Sequence, residues 1–149
     1  MNLVTPFEKI DAEDIDSFAD ASTFVVSLLH SPNRKVEWCS LAKYRSGSDL
    51  VDTLINLLWL AESPSGADQM LTLMHPIFYY KIQKDCRSVV DIQKHSSSEG
   101  YSGTILGHRF FSHARLRSDT MMVVSQKEDL SKILVASPRK WDPKESLFV

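Results

Sequence analysis

The stretch TILGHRFFSHARLRSDTMMVVS, residues 104–125, sets the fold class. Residues 104–117 read as one long strand, bent near Gly107, whose side chains alternate between two faces. Ser118-Asp119 makes a turn, and Met121–Ser125 returns as a second strand. Two further strand signals precede them: Ile77-Phe78-Tyr79-Tyr80-Lys81-Ile82, then Ser88–Gln93, bounded by the polar loop His95–Gly103. Strands in series joined by short turns predict an antiparallel sheet.

The run DLVDTLINLLWLAE (residues 49–62) places Leu50, Leu54, Leu57, Leu58 and Ala61 on one helical face. Val51, Ile55 and Trp59 widen that face, so the helix is expected at the centre of the core. A short helix over Ala67–Met74 is expected before Pro76. Towards the N-terminus, Asp11 can cap a helix carrying Ile15, Phe18, Ala19 and Ser22. Thr23–Leu29 is ambiguous, and its β-branched cluster favours a strand. A hairpin through Ser31-Pro32-Asn33 would then join residues 23–30 to residues 35–45. Ser125 and Glu128 have the spacing of a reciprocal helix cap, which predicts a helix through Leu130, Ile133 and Leu134.

The resulting expectation is an α+β domain over residues 1–137. Its antiparallel sheet has about four to six strands, with the helices packed on one face. Residues 138–149 form a tail docked on the domain or on a partner. A hydrophobic share of 43% and a charged share of 24% fit a globular chain. No apolar run is long enough to span a membrane, and residues 1–16 are acidic rather than signal-like. Two distant cysteines, Cys39 and Cys86, suit free thiols in an intracellular protein, cytoplasmic or nuclear. The net charge of −2 conceals an acidic head, Met1–Asp20, and a basic middle, Lys81–Arg117.

Chemistry-bearing residues concentrate in the long strand. Period-two alternation puts Arg109, Phe111, His113, Arg115 and Arg117 on one face. Guanidinium groups around an aromatic ring suit phosphate and base, a protein surface, or plain solvent. His108 and His113 differ by an odd number and so point to opposite faces, and neither cysteine has zinc-type spacing; no metal and no cofactor are expected. No phosphate-cradling glycine loop, nucleophile elbow or zinc-protease helix occurs, so no catalytic residue is assigned. In the tail, Trp141 needs cover, and Leu147, Phe148 and Val149 could meet a partner.

These observations favour a non-enzymatic protein-interaction module that binds protein, including its own copies as a homo-oligomer. A nucleic-acid-binding or virus-type structural protein using the Arg109–Arg117 face, or touching an acidic membrane peripherally, is the alternative. A small enzyme without a recognisable motif is the third.

Overall fold

The computed structural model describes residues 14–41, 46–62, 69–96, 100–128 and 130–148, giving the backbone alone for 91–96 and 100. Among these residues, three α-helices, α1 (Phe18–Leu29), α2 (Gly47–Glu62) and α3 (Pro76–Asp85), and a short 3-10 turn at Arg87–Val89 accompany seven strands. These are β1 (Arg34–Ser40), β2 (Gln69–Met74), β3 (Val90–Ser96), β4 (Gly100–Ile105), β5 (His108–His113), β6 (Met121–Lys127) and β7 (Leu130–Ser137). They form one sheet in the order β1-β7-β6-β2-β5-β4-β3.

The α+β class holds, but the sheet is mixed rather than antiparallel. β1 runs parallel to β7, and β2 runs parallel to β5. The remaining neighbours are antiparallel. Parallel strands need crossover connections, and α2 and α3 lie on the paths from β1 to β2 and from β2 to β5.

The helices also cover both faces rather than one. Phe18, Ala21, Phe24, Val25 and Leu28 of α1 pack with Leu71, Leu73, Phe111, Met122, Val124, Ile133 and Val135. Leu50, Leu54, Leu57 and Leu58 of α2, with Phe78, Tyr79 and Ile82 of α3, pack with Met74, Phe110, Met121, Val123, Leu134 and Ala136. Successive strand residues feed opposite cores, as pleating requires.

Several elements differ from expectation for identifiable reasons. Residues 23–29 continue α1, so no hairpin joins them to β1. Phe18, Ala21, Phe24, Val25 and Leu28 keep helical spacing, and Ser17 caps the helix by accepting from the Asp20 amide at 3.1 Å. The expected cap, Asp11, lies outside the described residues. Residues 77–82 are helical because Pro76 occupies the first turn and His75 Nδ1 accepts from the Ile77 amide. Burial pushes the His75 pKa down, which keeps the ring a neutral acceptor. Residues 69–74 and 130–137, expected as helices, are strands β2 and β7.

The anticipated cap at Ser125 and Glu128 is a hairpin turn instead. Glu128 has a φ of 53°, and Ser125 Oγ donates to the Ala61 carbonyl. The long strand at 104–117 is interrupted by Leu106-Gly107, both at positive φ, and becomes the β4–β5 hairpin. α2 appears as expected. Its first residue, Gly47, sits where a Cβ would lie 2.3 Å from the Lys81 carbonyl oxygen, which locks α2 against α3.

Candidate functional site

The basic strand face does not exist as an exposed surface. β5 ends at His113, so alternation stops there and the five residues separate. Phe111 is 2% exposed and sits in the core beneath α1. Arg109 donates to the Ile15 carbonyl, and its guanidinium carbon lies 5.6 Å from the Phe111 ring centroid. That is a cation–π contact within the domain. His113 stacks on Phe18 with centroids 4.3 Å apart and accepts from the Arg115 amide through Nδ1 at 3.0 Å. Arg115 alone of the five is exposed. Arg117 pairs with Glu145 at 2.7 Å, and its amide donates to the Leu147 carbonyl at 2.7 Å. The stacking platform expected at Phe111 is therefore covered.

The tail is held by the same region. Trp141 is 2% exposed, and its Nε1 donates to the Glu145 carbonyl at 3.1 Å. Leu147 is equally buried, and Phe148 is half-buried edge-on to Phe18 and bridges Leu116. Trp141 and Leu147, expected as partner contacts, spend their apolar surface on their own chain. Val149 lies outside the described residues.

On the opposite face three aromatic rings stack in a row. Tyr79 lies between Tyr101, at 4.8 Å, and Phe110, at 5.5 Å, while the Tyr80 and Tyr101 hydroxyls are 3.2 Å apart. The Tyr79 hydroxyl is buried without a hydrogen-bond partner among the described residues. Burial, with Tyr101 and Tyr80 nearby, pushes its pKa up to about 12.

An unfolded tyrosine ionises near about 10. The folded state therefore holds this proton more tightly, and the associated stability is fully present below pH ~10. It is lost as pH rises from there through about 12. Tyr79→Phe is expected to leave neutral-pH stability unchanged or higher, since it deletes an unsatisfied hydroxyl. The fall in stability above pH ~10 should be smaller in the variant. Urea midpoints of both proteins across that range measure the difference.

Among the described residues, large apolar side chains are exposed at Val26, Ile77, Tyr80 and Leu130 and, most strongly, on the outer side of α2. Ile55 is 47% exposed and Trp59, one turn later, is 67% exposed. The sequence counted both as widening the buried face. At about 100° per residue, however, Trp59 falls roughly 160° from the middle of the Leu50–Ala61 stripe. That offset was the available signal. The other tryptophans are better covered: Trp38 is half-buried and donates to Ser137 Oγ at 2.9 Å, and Trp141 is in the core.

Cys39 and Cys86 are free and half-buried, with burial pushing the Cys39 thiol up. His30 and His75 cap helix ends. Among the described residues no group of three or more His, Cys, Asp or Glu side chains could hold a metal ion. No helix among them is long and apolar enough to cross a membrane. No family model, no curated protein and no solved structure matches this chain.

Proposed function

We propose that this chain is a non-enzymatic protein-interaction module that self-associates, with the outer face of α2 among its contact surfaces. The exposed Trp59 carries the reading. An indole is costly to leave in water, and tryptophan is enriched at the energetic centres of protein interfaces. Ile55, on the same side of α2, extends the patch.

The nucleic-acid alternative loses its stacking ring to the core, which leaves Arg115 as the exposed member of the proposed face. Light scattering across a concentration series tests the reading. The expected result is a species at least twice the 16.9 kDa chain mass, shifted towards monomer by joint Ile55→Ser and Trp59→Ser replacement. A strict monomer at every concentration overturns self-association.

A further inference from the structure

β1 is an edge of the sheet, and among the described residues no strand pairs with its outer side. Two flanking hydrogen bonds show which of its backbone groups point inward. The Asn33 carbonyl accepts from the Ser131 amide, and the Leu41 amide donates to the Ser137 carbonyl. Odd-numbered residues thus aim their backbone groups at β7. Arg34, Val36 and Trp38 aim theirs outward.

We propose that β1 pairs antiparallel with β1 of a second copy about a two-fold axis at Val36. The inference rests on the self-association reading and adds an edge contact to the α2 surface named there. An isologous interface must be self-complementary, so each possible register can be judged by the charges it opposes. Centring on Lys35 sets Lys35 against Lys35 of the second copy, and centring on Glu37 sets Glu37 against Glu37. Centring on Trp38 leaves Lys35 without a strand residue opposite it.

Centring on Val36 instead places Lys35 opposite Glu37 of the second copy, twice over. These are non-hydrogen-bonded positions, where facing side chains approach most closely. The same register sets Arg34 across from Trp38 of the second copy, which suits guanidinium and indole. The outward groups of Arg34, Val36 and Trp38 then bond to one another across the axis.

Within one chain Lys35 and Glu37 already lie 3.1 Å apart, which places both on the same side of β1. Lys132, the β7 neighbour of Lys35, donates to the Leu60 carbonyl, so that side is the one covered by α2. A two-fold axis perpendicular to the sheet pairs the edges antiparallel and preserves faces. Both Trp59-bearing helices would therefore stand on one face of a continuous sheet.

Charge reversal tests the register. On the α2 side of the edge, Lys35→Glu leaves only carboxylates at positions 35 and 37, and Glu37→Lys only ammonium groups. Each alone is expected to weaken the dimer about tenfold or more, as read by light scattering and sedimentation. An equimolar mixture of the two variants should dimerise again, because each supplies the charges the other lacks. Restored mass in the mixture cannot come from repair of the in-chain Lys35–Glu37 pair, which is broken in both. Val36→Pro, which removes an outward amide not used by β7, should also yield monomer.

If the wild type dimerises while either single reversal keeps wild-type affinity, the edge contact is overturned and self-association stands. A mixture that stays monomeric overturns the register. A wild type that is monomeric throughout overturns both.

Discussion

Replacing Trp141 by alanine is expected to lower the unfolding free energy by about 3–5 kcal/mol, a large share of the total for a domain of this size. The indole is 2% exposed among Phe18, Leu116 and Leu147 of the α1-side core, and truncation leaves a cavity as well as losing transfer energy. The lost Nε1 donor also served the Glu145 carbonyl, whose residue places its carboxylate 2.7 Å from Arg117. Removing the ring therefore loosens the turn that holds Arg117 and Leu147 together. Chemical denaturation should show a lower midpoint with an unchanged slope. If Trp141 instead met a partner, the variant would keep its midpoint and lose association. An unchanged midpoint would thus overturn the docking of residues 141–148.

How far the fold could be read in advance depended on how many sides of each element are covered. β1 interleaves polar and apolar residues because at the margin of the sheet neither of its faces is fully covered, and α2 showed a stripe because one side faces solvent. In β7, every residue from Ser131 to Ser137 is buried, since α1 and α2 cover opposite faces. A doubly covered strand loses its period of two, and Leu130, Ile133 and Leu134 then fell by chance at helical spacing. β2 failed in the same way, with Leu71–Met74 all buried. In α3, aromatic and β-branched residues pointed to a strand, yet Pro76 and His75 organised a helix. The helix buries Phe78, Tyr79 and Ile82 and exposes Ile77 and Tyr80. The candidate site was misread through one assumption, that residues 104–117 form a single strand. Once the strand ends at His113, Arg115 and Arg117 no longer share a face with Arg109.

Phe111→Ala follows from that correction and is expected to destabilise the protein by about 3–5 kcal/mol. The ring is 2% exposed and lies in the layer between the sheet and α1, where Phe18, Leu73, Val124 and other buried side chains belong to the same core. It also underlies the Arg109 guanidinium, which reaches across to the Ile15 carbonyl. Without the ring, the half-buried Arg109 loses its aromatic support, so the cavity cost and the lost cation–π contact fall on one place. Arg115→Ala, an exposed position, should move the denaturation midpoint by no more than about 0.5 kcal/mol equivalent. The two variants separate the readings of this strand. A nucleic-acid platform would have Phe111→Ala folded at wild-type stability and deficient in salt-sensitive RNA binding. A core residue makes the same substitution a stability defect, with loss of α1 protection in amide exchange as its local signature. Wild-type stability in Phe111→Ala would show that α1 does not cover this face, and would return Arg109, Phe111 and His113 to the surface as one patch.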